Sequence, residues 1–278
     1  MVTKVNKVGT AGDDNFDFSD VSYENFQFRI NGGAGDDTII GNKQNDFIFG
    51  DAGNDYLDGK AGDDRLEGRE GRDEIYGDAG DDTITGGNNE DVIYGGIGND
   101  YIDAGNDNDI INGNDGNDTI LGGRGSDIVS GDAGDDILDG AEGDDIISGN
   151  SGNDCIEGDG GNDKLYGGAG NDTIFAGGQN DMIIGGRGSD YLEGGAGNDV
   201  FVYENNLDSS VTSSDLIDKF VLTQDKIDFS ALGVTAANLV INTAGGSLFE
   251  VTRLDSADFL LQVQTTGVPL TASDFILA

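Results

Sequence analysis

The chain of 278 residues has no histidine, no tryptophan, one proline (Pro269), one cysteine (Cys155) and two methionines. Without histidine there is neither an HExxH zinc site nor a Ser-His-Asp triad. The same absence, with a single thiol, argues against zinc or copper. Cys155 has no partner for an internal disulfide and reads as a small apolar strand residue. A disulfide-poor chain is usually cytosolic, but an exported chain stapled by metal ions has the same composition. Positive charge is also scarce. Lys and Arg number 14 against 55 Asp and Glu, for a formal charge of -41. Phosphates are repelled along such a chain, so nucleic acid is not an expected partner. No stretch has the ~20 apolar residues of a membrane helix. The opening MVTKVNKVGT lacks the apolar core of a cleaved signal peptide.

Glycine is abundant, at 49 residues. High charge with much glycine can mean disorder. Against that, 35% of the chain is apolar, and the apolar residues are periodic. From Gly32 to Val202 the chain divides into 19 nonapeptide units with no insertion or deletion. Position 1 is glycine in 17 units (the exceptions are Ala104 and Ala176), and position 4 is glycine in 15. Position 8 is always apolar, from Ile39, Ile48 and Leu57 to Leu192 and Phe201. Position 6 is always aspartate: Asp37, Asp46, Asp55, Asp64, Asp73, Asp82, Asp91, Asp100, Asp109, Asp118, Asp127, Asp136, Asp145, Asp154, Asp163, Asp172, Asp181, Asp190 and Asp199. A disordered tail has no reason to keep this register.

Positions 7 to 9 predict a short strand with one side chain facing in. Positions 1 to 6, with glycines that accept positive φ, predict a tight turn. So short a strand needs stacked neighbours, which is the logic of a solenoid. Turn, strand, turn, strand makes one coil out of two units. Odd units then form one parallel sheet and even units the other, with a thin file of Ile, Leu and Val between. Nine and a half coils at ~4.8 Å each give a roll ~45 Å long.

Stacking places each position-6 aspartate next to the one two units on, Asp37 with Asp55 and Asp46 with Asp64. Carboxylates ~4.8 Å apart repel unless a cation lies between them. Calcium takes oxygen ligands at about 2.3–2.6 Å, so an ion midway spans about 4.6–5.2 Å, the coil spacing. Magnesium, at about 2.0–2.1 Å, spans too little. Glycine-rich turns expose carbonyls as further hard ligands. Ten odd units make nine neighbouring pairs and nine even units make eight, so at most 17 ions fit. One aspartate in a glycine-rich turn usually forms an Asx turn without metal; nineteen in register point to calcium. The turns without glycine at position 4 (Gln44, Asn89, Asp107, Gln179) are expected to hold distorted or empty sites.

The unit GGxGxDxUx, intact in GGAGNDTIF at 167–175 and GGRGSDYLE at 185–193, resembles the nonapeptide of the RTX, or hemolysin-type calcium-binding, proteins. GTAGDDNFD at 9–17 looks like an isolated earlier unit with Asp14 at position 6. The resemblance implies an all-β, right-handed parallel β-roll, calcium between successive turns, and export by type I secretion machinery. It places the ligand role on the position-6 aspartates and the turn role on the glycines of positions 1, 2 and 4.

This gives three segments: 1–31 as an N-terminal cap with one isolated repeat, 32–202 as the roll, and 203–278 as a C-terminal β cap. Residues 1–31 supply Phe16, Phe18, Tyr23, Phe26 and Phe28 to the first cap. DLIDKFVLTQDKIDFSALG at 215–233 resembles the segment that follows the roll in secreted RTX proteases. NLVINTAGGSLFEVTRL and DFLLQVQ read as antiparallel strands. The terminal DFILA, with Asp274, looks like a type I secretion signal, or else a final edge strand. Outward positions of the odd sheet hold Val92, Ile110, Ile128, Ile146, Tyr76 and Tyr94, and the even sheet is richer in charge. The odd face is therefore expected to be covered by the C-terminal segment or by self-association, against the plainer reading of ordinary β-formers in water. The reading as a whole is a secreted or cell-surface, non-catalytic calcium-binding protein. Its rivals are an accessory module for a catalytic partner and a calcium-dependent adhesin.

Overall fold

The computed structural model describes residues 3–19, 26–205, 208, 214–222, 224–236, 239–245, 247–253, 256–265 and 269–278. Tyr23 lies outside them. The chain forms two compact units, Met1–Glu142 and Gly143–Ala278. Each is built from stacked parallel strands with almost no helix, and the fold is a parallel β-solenoid. No helix among the described residues is long and apolar enough to cross a membrane.

In the first unit one sheet runs Thr3–Val8, Phe26–Ala34, Phe47–Ala52, Arg65–Glu70, Thr83–Asn88, Tyr101–Asn106, Thr119–Arg124 and Ile137–Glu142. The other runs Asn15–Asp17, Thr38–Ile40, Tyr56–Asp58, Glu74–Ala79, Val92–Ile97, Ile110–Asp115 and Ile128–Ala133. Partners are parallel and two repeats apart, as in Ile48 beside Leu66 and Ile93 beside Ile111. The step is longer only at the start, where Phe16 lies beside Ile39 and Val5 beside Phe28. Position-8 residues are inward and 0–1% exposed from Ile39 to Leu138.

Most strands are twice the predicted length. They comprise positions 7 to 9 of one repeat and 1 to 3 of the next. Position 1 also faces inward, where glycine or alanine leaves room for the neighbouring position-8 side chain. That gives each coil more backbone pairs and confines the turn to positions 4 to 6. The backbone is left-handed at position 2, near the strand's end, and at position 4, in the turn, as at Gly96 with φ 120° and Gly98 with φ 142°. Position 2 accepts this conformation without glycine at Asp51, Asp78, Asn114 and Asp132, whose Asx side chains tolerate it, and is held in it also at Lys60, Arg69 and Ala141.

At the N-terminal end, Phe28 occupies a slot that aspartate holds elsewhere, and its N–H donates to Asp46 Oδ1 at 2.7 Å. Phe18 stacks on Phe28 with ring centroids 4.3 Å apart.

In the second unit the sheets continue past Val202. Asp215–Phe220 pairs in parallel with Tyr191–Ala196, and Lys226–Asp228 with Val200–Val202. Ile217 and Ile227 take the buried position-8 place, each 0% exposed. Ser256–Thr265 adds in parallel, and Leu248–Arg253 and Leu239–Gly245 add antiparallel. Phe275–Ile276 joins the other sheet beside Lys226–Asp228, so the DFILA segment is paired as a strand. Tyr203, Phe229, Phe259 and Phe275 form an aromatic plug with centroids 5.4–6.0 Å apart.

This corrects the expectation that the C-terminal segment lies over the odd face. Within its unit the segment adds strands edge to edge, because unpaired N–H and C=O groups at a sheet end are satisfied by another strand. Ile146 on that face stays 38% exposed, and in the first unit Ile110 and Ile128 are 47% and 48% exposed.

Candidate metal centre

In each unit the turns bring the position-6 aspartates into two files. All nineteen side chains are buried, from 0 to 3% exposed. Within each unit the N–H of a position-6 aspartate donates to Oδ1 of the aspartate one coil ahead. Asp37 donates to Asp55 at 2.8 Å, Asp64 to Asp82 at 2.7 Å, Asp100 to Asp118 at 2.8 Å and Asp172 to Asp190 at 2.9 Å. The files begin before the regular repeat, where Asp14 N–H donates to Asp37 Oδ1 at 2.7 Å. They run on after it, because Asp190 donates to Asp215 at 3.1 Å and Asp199 to Asp225 at 3.3 Å.

The second carboxylate oxygen is different. Oδ2 of Asp37, Asp55, Asp64, Asp73, Asp82, Asp91, Asp100, Asp109, Asp118, Asp163, Asp172, Asp181, Asp190 and Asp199 is buried with no hydrogen-bond donor. Where position 1 is glycine, the Oδ2 of the same repeat lies against it, and in most such turns the next coil's position-1 carbonyl also arrives. A Cβ at Gly86 would lie 2.6 Å from Asp91 Oδ2 and 2.5 Å from the Ala104 carbonyl oxygen. At Gly158 the corresponding distances are 2.7 Å to Asp163 Oδ2 and 2.5 Å to the Ala176 carbonyl. Two oxygens, neither a donor, thus converge on one place. The ion pairs of Lys60, Arg65, Arg69, Arg72, Arg124 and Lys219 all go to other carboxylates.

Burial raises the pKa values of the files, and neighbouring carboxylates raise them further in most turns; the N–H bonds oppose the rise. Asp64 is pushed up to about 9 and Asp91 to about 8. Asp73, Asp82, Asp109, Asp163 and Asp172 rise to about 7. Such carboxyls need either a proton or a cation. The donor set is carboxylate and carbonyl oxygen without nitrogen or sulfur, which fits a hard cation of calcium type.

The turns without position-4 glycine divide. Asn89, Asp107 and Gln179 keep the left-handed turn at φ 75°, 75° and 82°. Their aspartates stay in file, with Asp73 N–H on Asp91 at 2.8 Å and Asp163 on Asp181 at 2.9 Å. The expected distortion is therefore found only around Gln44. There Asn42 N–H donates to Asp46 Oδ2 at 2.9 Å, and Gln44 N–H donates to Asn42 Oδ1 at 2.8 Å. Asp46 Oδ2 has the donor that the Oδ2 atoms named above lack.

A second file lies at position 5, which the sequence reading treated as variable. It runs the opposite way: Asn54 N–H donates to Asp36 Oδ1 at 2.8 Å, Asn117 to Asn99 at 2.9 Å and Asn198 to Asn180 at 2.9 Å. Its signal was present, since 15 of the 19 position-5 residues are Asn or Asp. In one stretch the bonded file gives way to an ion pair between Arg72 and Glu90.

A family model described as the RTX calcium-binding nonapeptide repeat (4 copies) matches residues 31–66, 58–93, 67–102, 85–120, 94–129, 112–147 and 121–154. A second, peptidase M10 serralysin C terminal, matches 147–247. No curated protein sequence matches the chain. Among solved structures, the AlgE6R2 subunit from the Azotobacter vinelandii mannuronan C5-epimerase is 31% identical over 54% of this chain and 92% of that one, with a TM-score of 0.37. A hyperactive, calcium-dependent, β-helical antifreeze protein from an Antarctic bacterium is 21% identical over 84% and 86%, with a TM-score of 0.32. The extracellular lipase LipA from Serratia marcescens is 19% identical over 93% of this chain and 43% of its own, with a TM-score of 0.25.

Proposed function

The chain belongs to the RTX calcium-binding nonapeptide-repeat family, and from that premise we propose a secreted, non-catalytic calcium-binding β-roll protein that folds as calcium fills its turns after export. The position-6 aspartates, Asp37 to Asp199 in steps of nine, hold the ions, through Oδ2 wherever that atom has no donor, with position-1 carbonyls beside them. The observation that carries this reading is the row of buried Oδ2 atoms without donors. Calcium supplies positive charge where neither backbone nor side chain does. Without it, repulsion along a chain of charge -41 and the entropy of 49 glycines favour an open chain. Such a chain suits passage through type I machinery from a low-calcium cytosol. Outside the cell, ion binding supplies folding free energy. Absent histidine, and with so many carboxylates committed to turns, the roll has little from which to build a hydrolytic site.

Far-UV circular dichroism during a calcium titration of the chelated full chain tests this. A cooperative gain of β signal with calcium, and none with magnesium at the same concentration, is expected. A chain already folded in chelator overturns the folding switch.

A further inference from the structure

The outer face of the first strands of the even sheet differs from the rest of the acidic surface. Eight of the 14 basic residues fall within the first 72 positions. Lys4 and Asn6 project from Thr3–Val8, Gln27, Arg29 and Asn31 from Phe26–Ala34, and Phe47 opens the next strand. Register sets Lys4 beside Gln27, Asn6 beside Arg29, and Arg29 beside Phe47. Further along the face, Arg65 and Arg69 are neutralised by Glu67 and Asp51. Among the described residues no ion pair reaches Lys4, Lys7 or Arg29. Arg29 is instead held by an aromatic ring, its guanidinium carbon 4.4 Å from the centroid of Phe49. That contact orients the guanidinium while leaving its charge uncompensated.

Two grooves meet at Asn6 and Arg29. One, of ≈ 100 Å³, is lined by Lys4, Gln27 and Phe47; the other, of ≈ 290 Å³, by Lys7, Val8 and Asn31. Lysines on an edge strand also discourage sheet-to-sheet pairing. That accounts for Lys4 and Lys7 but not for Arg29, which lies on an inner strand, nor for the grooves.

We propose that this face binds a carboxylated polysaccharide, with Arg29 and Lys4 meeting sugar carboxylates. The guanidinium fork matches a carboxylate in two-point geometry. Asn6, Gln27 and Asn31 each offer donors and acceptors, the pairing that sugar hydroxyls need. The half-buried Phe47 supplies an apolar surface for a sugar ring. An acidic peptide adding as a strand would take the free edge of Thr3–Val8, whereas the grooves open on the face. The field of so few cations is screened beyond about 8 Å at physiological salt, so the contact is local and short sugars suffice. The surface is separate from the metal turns, and its failure would leave the calcium reading intact.

The test is fluorescence anisotropy of a labelled short oligouronate titrated with the calcium-loaded full chain, beside a neutral malto-oligosaccharide of equal length. Saturable binding of the uronate alone, weakening as salt rises, is expected. Arg29→Gln should weaken it about tenfold, the worth of a charge-assisted contact. Lys4→Gln, at an exposed residue, should weaken it by less, and Arg124→Gln, five strands along the same sheet of the first unit and paired with Glu142, should leave it unchanged. Each variant must reach the parent's calcium-loaded β signal. No binding, equal binding of the neutral sugar, parental affinity in both Arg29→Gln and Lys4→Gln, or displacement by an acidic peptide bound at the strand edge would overturn the proposal.

Discussion

Positions 5 and 6 of the repeat are neighbours in the chain and carry the same kinds of short side chain, yet they lie in opposite surroundings. Position 5 is mostly exposed, and there an amide serves as well as an acid: Asn117 and Asp81 accept the same kind of bond, at 2.8 Å from Asp135 and from Asn99. Position 6 is buried, and there every repeat has aspartate. Asparagine could accept the Oδ1 bond equally well. The uniform acid at position 6 therefore answers to a need for negative charge, not for a hydrogen-bond acceptor. Inside the roll, where water cannot solvate it, that charge asks for a cation.

The comparison is broken most severely by removing one inner acid. Asp100→Ala deletes the acceptor for Asp82 N–H and one carboxylate of the file. It should cost at least ~2 kcal/mol in the calcium-loaded state and reduce bound calcium, as read by denaturant melts and calorimetric stoichiometry. Asp100→Asn makes position 6 resemble position 5. It should keep the bond and lose ions, and unchanged stoichiometry would refute the charge argument.

Acid should blur the difference next. In the folded, metal-free roll Asp64, Asp73 and Asp91 have values of about 9, 7 and 8, above the ordinary 3.8. A carboxyl raised on folding takes up protons, so its contribution to stability is fully present below the unfolded value and lost as pH climbs through 7 to 9. In chelator, β signal should therefore grow as pH falls from about 9 towards 4. Signal that instead grows with rising pH would contradict the buried, unpaired state of the file.

The exposed file should matter least. Asn117→Ala removes the acceptor for Asp135 N–H, an exposed bond, and should cost ~0.5–1.5 kcal/mol with calcium stoichiometry unchanged. A loss of ions in this variant would place position 5 among the ligands.

The regular part of the fold was legible because period, inward apolar residue and inward acid all repeat without interruption. Three features escaped. Position 5 was hidden by its mixture of Asn, Asp, Ser, Arg and Glu, although backbone N–H groups one coil away read only the shared oxygen. The extension beyond Val202 was hidden by spacing. Asp215-Leu216-Ile217 and Asp225-Lys226-Ile227 repeat the Asp-x-apolar signature, but they stand 25 and 26 residues after their partners and lack the glycine frame. A longer loop still delivers the same Asp and Ile to the same places. Phe28, in an aspartate slot, was invisible because only its backbone N–H takes part.

The uniform step of two repeats per coil also bears on how such a chain can change length. In the first unit each turn is bonded to residues one coil before and one coil after, through the same atoms each time. A pair of repeats duplicated or lost there presents the same carboxylate, N–H and apolar side chain to the coils on either side. A single repeat gained or lost would instead exchange the two sheets downstream and set tyrosine- and isoleucine-bearing strands among charged ones. Growth by whole coils leaves every junction familiar, so genetic copying errors of one size would be far better tolerated than those of half that size.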